Sequence, residues 1–226
     1  MIIAIDGPSG AGKSTVSKAV ARRLGFSCLD TGAMYRSIAW QALQNGVSLE
    51  DGEALGRIAD MHEIGFSHEP GDPLPRRVSI AGVDVTDAIR TAEIDRSVSA
   101  VAAAPAVRQA LVAQQQRIGR AGNYVVEGRD IGTAVFPEAE LKVFLTASAA
   151  ERAHRRVAQN ERRGVGSTDY AEVLADIERR DAIDSSRDTS PLKPAPDAVQ
   201  MDSTGRTIEQ IIERICALAQ EKGMHV

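Results

Sequence analysis

One stretch near the start of the chain limits the available folds more than any other. Residues 7–14 read Gly-Pro-Ser-Gly-Ala-Gly-Lys-Ser, the G-x-x-x-x-G-K-[ST] spacing of a phosphate-binding loop. Its glycines let the backbone wrap an anion so that successive N–H groups point inward. Such a loop works between a buried strand and the positive end of a helix. Both neighbours are legible here. Met1–Asp6 (MIIAID) is a short apolar run, and Lys13 to Leu24 puts Val16, Ala19, Val20 and Leu24 on one helical face. Lys13 is expected to reach the β- and γ-phosphates of a nucleoside triphosphate, and Ser14 to ligate Mg²⁺.

The rest of the chain repeats the strand–helix alternation. Phe26–Asp30, Tyr124–Glu127, Leu141–Thr146 and Ala198–Asp202 read as further strands. Helical patterns cover Tyr35 to Leu43, a segment opened by Ser48, two segments before and after Pro105, and the stretches around Ala149, Tyr170 and Ile208. Ser148 with Glu151, and Thr207 with Gln210, have capping-box spacing. Alternating strands and helices predict an α/β fold, with a parallel sheet covered on both faces. The middle departs from this pattern. His62–Ser67 and Arg76–Val85 look like short strands around the proline loop of residues 69–75, with hairpin character. We therefore expect one domain over 1–226, with a core of 1–61 and 91–226 and a small β-rich insert at 62–90.

Composition closes several alternatives. The formal net charge of -4 leaves no general electrostatic grip on nucleic acid. Two cysteines, Cys28 and Cys216, build neither a disulfide framework nor a zinc site and suit a reducing compartment. The first apolar run is too short for a signal peptide, and no window reaches a membrane span. His62, His68, His154 and His225 show no metal spacing and receive no role. A cytosolic enzyme or binding protein is expected.

A guanine-reading Asn-Lys-x-Asp motif is absent, and Asp202-Ser-Thr-Gly205 stands where a GTPase switch would be misplaced, so it reads as a turn and helix cap. A short chain with its loop near residue 7 suggests a small-molecule kinase. A phosphorylated acceptor would need cations beyond the loop, and arginine forks suit phosphate oxygens. Asp30-Thr-Gly-Ala-Met-Tyr-Arg36 and Glu127-Gly-Arg129-Asp130-Ile-Gly-Thr133 follow strands, at the sheet end where α/β ligands bind. Arg179, Arg180, Asp184 and Arg187 form a third cluster. Each has a plain alternative. Thr31 could cap a helix, Arg129 and Asp130 could be a surface pair, and Arg180 with Asp184 an ordinary helix pair. The helix from Ala149 carries Arg152, Arg155, Arg156, Arg162 and Arg163 before Gly164-Val-Gly166. It is either a solvated face or a lid over 149–166. Glu127 could position Mg²⁺ through water, or cap a turn.

GPSGAGKST at 7–15, DTGAMYR at 30–36, EGRDIGTAVFP at 127–137 and ERRDAIDSSR at 178–187 together resemble bacterial cytidylate kinases, over nearly the whole chain. The resemblance implies a five-stranded phosphate-loop kinase core, an insert at 62–90 in the nucleotide-monophosphate-binding region and an arginine-rich lid. It implies transfer from ATP to CMP or dCMP with Mg²⁺, in a cytoplasmic enzyme without nucleic-acid or membrane partners; a monomer is the expectation. Gly7, Pro8, Ser9, Gly10, Ala11, Gly12, Lys13, Ser14 and Thr15 would bind ATP, and Arg152, Arg155 and Arg156 would belong to the lid. Thr31, Arg36, Arg129 and Arg187 would hold the acceptor phosphate. Tyr35, Arg180 and Asp184 would lie by the ribose, and Ser99, Arg108 and Asp130 would read cytosine. Lys13, Arg129 and Arg187 would be catalytic. Some members carry Gly in place of Ser14, which weakens its claim as an indispensable metal ligand.

Overall fold

The computed structural model describes residues 1–69 and 71–224; Pro70 of the proline loop, and His225, lie outside them. Strands β1 (Ile2–Asp6), β2 (Ser27–Asp30), β6 (Tyr124–Gly128), β7 (Leu141–Thr146) and β8 (Val199–Asp202) form a five-stranded sheet in the order β2-β6-β1-β7-β8. Every pairing in it is parallel. The central strand explains its own place. All five residues of β1 are buried, as a strand covered on both faces must be. Alternation then divides them. Ile2 and Ala4 join one core with Leu29, Val126, Leu111 and Ile38, while Ile3 and Ile5 join a second with Val20, Val143, Leu145 and Ile215.

Helices α1 (Lys13–Leu24) and α8 (Ile208–Glu221) cover the second face, and α2 (Thr31–Gln44), α3 (Gly52–Met61), α4 (Ala92–Ala103) and α5 (Pro105–Arg120) the first. Helices α6 (Ala149–Arg163) and α7 (Tyr170–Ser185) pack on each other around Ala153, Val173 and Ile177. The segment near 62–90 holds β3 (Ile64–His68), β4 (Pro75–Ile80) and β5 (Val83–Asp84), an antiparallel three-stranded sheet. Its Ile64, Val78 and Ile80 pack into the first core.

Helix starts differ from the sequence expectations in three places. Ser48 does not cap α3: Asp51 does, its carboxylate accepting from the Ala54 N–H at 2.9 Å. Thr31 does not cap α2. Asp30 accepts from the Ala33 N–H at 3.0 Å, so the helix begins at Thr31 and takes in the whole Thr-Gly-Ala-Met run. Ser148 caps α6, but Glu151 does not complete the box, because its carboxylate accepts from Arg155 at 2.9 Å. The box at Thr207 and Gln210 is complete. Among the described residues no helix is long and apolar enough to cross a membrane.

Candidate active site

The loop leaves the carboxyl end of β1 and turns into α1. Gly7 has φ 147°, and a Cβ there would stand 2.0 Å from the Leu145 carbonyl oxygen, so only glycine fits beside β7. Gly12 at φ 94° stands at the helix cap with no side-chain partner, leaving the first N–H groups of α1 free for an anion. The Lys13 Nζ donates to the Pro8 carbonyl at 2.7 Å. Burial, followed by the charge of Arg129, holds the Lys13 ammonium well below the ordinary lysine value.

Ser14 lies on the exposed side of α1, and its hydroxyl donates to Glu127 Oε2 at 2.8 Å. The other oxygen, Oε1, is buried with no hydrogen-bond partner. Burial, then the charge of Asp30, pushes the Glu127 carboxyl up to about 7. A hydroxyl and a buried, half-satisfied carboxylate side by side fit a hydrated divalent cation completed by phosphate oxygens. Among the described residues no group of three or more His, Cys, Asp or Glu could hold a metal.

Beyond β6 the acceptor-side residues converge. Thr31 donates to the Glu127 carbonyl at 2.7 Å, which ties the start of α2 to β6. Arg129 and Asp130 are not a surface pair. Arg129 donates through Nε to Asp184 at 3.0 Å, and Asp130 takes Arg108 in a pair with both side chains buried. Asp184 also accepts from Arg187, so one carboxylate at 1% exposure holds two arginines from two segments. Arg180 is not its partner. Burial, then the charge of Arg129, brings the Arg180 guanidinium down to about 9, and its Nε has no partner. Arg36 pairs with Asp95 and donates to the Ile89 carbonyl at 3.3 Å. The Tyr35 hydroxyl is buried without a partner, and the Arg108 guanidinium lies 5.7 Å from its ring centre. Ser99 is half-buried on α4, and among the described residues its hydroxyl has no hydrogen-bond partner.

The arginines of helix α6 fall into two groups, buried or half-buried against the phosphate loop and exposed at the far end. Arg152 is 5% exposed; it donates to the Ala147 carbonyl at 2.9 Å, the Ser9 carbonyl at 3.1 Å and Asp181 at 2.6 Å. Arg155 donates to the Ser203 hydroxyl at 2.9 Å and carbonyl at 2.8 Å, and Arg156 to the Ser9 hydroxyl at 3.1 Å. These three grip the phosphate loop and its neighbour after β8. Arg162 and Arg163 are exposed and form the solvated end.

Several partners went unread in sequence. Asp181, one helical turn before the expected site residue Asp184, joins α7 to α6 through Arg152, which the motif ERRDAIDSSR could have signalled. Arg90 holds Asp30 at 2.9 Å, and Asp95 stands between Arg36 and Arg156, the latter 3.8 Å away. No local pattern marks either. Ser203, read only as part of a turn, accepts from Arg155 and donates to the Thr146 carbonyl at 2.9 Å. Asp6, read as a strand end, has both oxygens engaged by the 131–132 backbone.

The chain also matches known proteins over nearly its whole length. A family model described as cytidylate kinase matches residues 3–221. A bifunctional pantoate ligase/cytidylate kinase of Prochlorococcus marinus (strain MIT 9303) is 53% identical over 96% of this chain, which spans 44% of that protein's length. A cytidylate kinase of Streptococcus pneumoniae (strain 70585) is 49% identical over 97% of both chains. In fold alone, an uncharacterized protein of Eubacterium ventriosum ATCC 27560 superposes with a TM-score of 0.51 at 12% identity, over 97% of this chain and 98% of its own. A match of this extent, together with the phosphate loop and the arginine-lined acceptor side, shows that the chain belongs to the cytidylate kinase family.

Proposed function

We propose that the chain transfers the γ-phosphoryl group of ATP to CMP or dCMP, giving ADP and CDP or dCDP. The observation that carries this reading is the convergence of Arg36, Arg129 and Arg187 with the buried Arg108–Asp130 pair at the same sheet end as the phosphate loop. An anionic acceptor suits such a cluster, in which the single Asp184 carboxylate is shared by Arg129 and Arg187.

An oxygen of the acceptor phosphate attacks the γ-phosphorus in line. The bond from that phosphorus to the β–γ bridging oxygen breaks, and ADP leaves. The attacking oxygen is largely ionised near pH 7, so no strong general base is required; positioning and charge stabilisation do most of the work. The loop amides of Gly7 to Thr15 cradle the donor phosphates, and Lys13 leaves the Pro8 carbonyl to meet the β- and γ-oxygens. Arg36, Arg129 and Arg187 exchange carboxylate partners for the acceptor phosphate, and Thr31 lines the same position. Tyr35, Arg180 and Asp184 lie by the ribose. Asp130 accepts from the cytosine amine, while Arg108 and Ser99 donate to its acceptor edge. Mg²⁺ would be held by Ser14, and through water by Glu127, and would neutralise charge on the donor phosphates.

Residues 149–166 act as a lid whose Arg152, Arg155 and Arg156 exclude water from the phosphates. The insert at 62–90 belongs to the acceptor side. The enzyme works as a monomer, and in the cytoplasm, where free Cys28 and Cys216 stay reduced. A coupled assay of ADP release over CMP, dCMP, UMP and AMP tests the proposal. CMP and dCMP should show the highest kcat/KM. Equal use of UMP, or turnover only with an unphosphorylated acceptor, would refute it.

A further inference from the structure

The turn that carries Arg129 and Asp130 has an unusual support. After Asp130, residues Ile131–Val135 make one wide helical turn, in which the Phe136 N–H donates to the Ile131 carbonyl at 2.7 Å. The first N–H groups of any helical turn lack an acceptor inside it. An aspartate in the capping position normally accepts from them with its own side chain. Asp130 occupies that position and makes no such bond; its carboxylate is turned to Arg108 instead. The work is done by a residue 125 positions earlier. Asp6 accepts from the Ile131 N–H through Oδ1 and from the Gly132 N–H through Oδ2, both at 2.8 Å. It is 4% exposed and stands opposite Gly128 in the β1–β6 register, one residue before the phosphate loop.

We propose that Asp6 is a positioning residue: it caps the 131–135 turn across the sheet, which frees the Asp130 side chain to face the acceptor base. This rests on the proposed reading of function. Two further observations agree with it. Asp6 is buried and, among the described residues, no cation stands within ion-pair distance of it, although the charge of Lys13 acts on its carboxylate. A Cβ on Gly132 would crowd Lys142 Cδ at 3.1 Å and touch Asp6 Oδ2 at 3.5 Å, so the turn and β1 meet closely here. With the cap lost, Asp130 has a competing partner in its own turn and turns away from the base. The phosphate loop, held by its own glycines, is not altered by that change.

The test compares Asp6→Asn with the unaltered chain in three measurements: KM for CMP, the CMP/UMP ratio of kcat/KM, and the Kd for ATP by direct titration. Asparagine keeps the shape but sets an amide against one of the two N–H groups. Drawing Asp130 toward the uncapped turn costs its hydrogen bond to the base, which corresponds to roughly a tenfold rise in KM for CMP, and the CMP/UMP ratio should fall at least about threefold. The Kd for ATP should change less than the KM for CMP, since the loop amides stay in place and Lys13 loses only the charge of Asp6. Should Asp6→Asn fail to fold, Gly132→Ala disturbs the same contact from the turn side with β1 unchanged, and the same pattern is expected. An unchanged CMP/UMP ratio in the folded variant, or ATP affinity lost in step with CMP, would overturn the inference and leave Asp6 a structural residue. If the unaltered chain prefers another nucleotide, the reading of function fails. The same ratios taken against that nucleotide would still decide the role of Asp6.

Discussion

Replacing Asp184 by alanine removes the one carboxylate shared by Arg129 and Arg187. The side chains of Asp184, Arg187 and Arg129 are 2%, 7% and 20% exposed, so neither arginine can recover full hydration where it stands. Arg180, already held down by burial, lies in the same cluster, and the Asp130 carboxylate is engaged by Arg108. Breaking a buried pair by deleting one partner costs about 3–5 kcal/mol. The partial exposure of Arg129 puts this case at the lower end, about 3 kcal/mol. For a chain of this size that is a fall in Tm of roughly 6–12 °C. Urea denaturation and scanning calorimetry at pH 7.5 measure both. Added inorganic phosphate, which supplies an anion to the bare arginines, should narrow the gap between variant and unaltered chain. A stability loss under about 1 kcal/mol would refute the reasoning, because exposed pairs contribute no more than that. It would mean that these arginines are solvated in the substrate-free chain.

Lys13→Ala should fold normally yet lose on the order of 10²–10³ in kcat, as removal of a charge stabiliser in a phosphoryl-transfer site does; thermal denaturation and steady-state turnover check the two halves. Asp130→Asn should lower the CMP/UMP ratio of kcat/KM at least about tenfold, mostly through poorer use of CMP, because the carboxylate that accepts from the cytosine amine becomes an amide. Hydrogen exchange in α6 should slow when ATP and CMP analogues are both bound; no slowing relative to the free chain would leave α6 a static cover. Glu127 has its carboxyl raised from 4.5 to about 7, so the folded chain binds its proton more tightly than the unfolded chain. Its burial penalty is absent below about pH 4.5, grows between there and about pH 7, and is constant above. Glu127→Gln should therefore stabilise the substrate-free chain more at pH 8 than at pH 5, measured as the difference in urea-unfolding free energy between variant and unaltered chain at each pH.

Local patterns determined most of the architecture. The run Ile2–Asp6, the glycine spacing and the apolar stripe of α1 specify strand, loop and helix without help from the rest of the chain, because each depends on residues within a few positions. The strand–helix alternation likewise announced a parallel sheet, and the departure from it near 62–90 the antiparallel insert. The partners of the charged groups were a different matter. Arg129 beside Asp130, and Arg180 four before Asp184, invited local pairings. The fold instead pairs Arg129 with Asp184 and Arg108 with Asp130, and the local partner that Asp184 does take is Arg187, three residues on. Neighbours in sequence point to opposite sides of a strand end, whereas residues 22 or 55 positions apart meet at the carboxyl edge of one sheet. In the same way α2 is started by Asp30 and α3 by Asp51, where Thr31 and Ser48 had matching chemistry but the wrong backbone placement. Asp6 is the extreme case. Its sequence neighbourhood describes only a buried strand, and its two hydrogen bonds exist because parallel pairing of β1 with β6 brings the 131–132 backbone over the strand end. Sequence supplies the types of group a phosphate site needs, while the crossover of strands decides which carboxylate faces which donor, since burial makes every unpaired charge expensive and leaves few arrangements that satisfy them all.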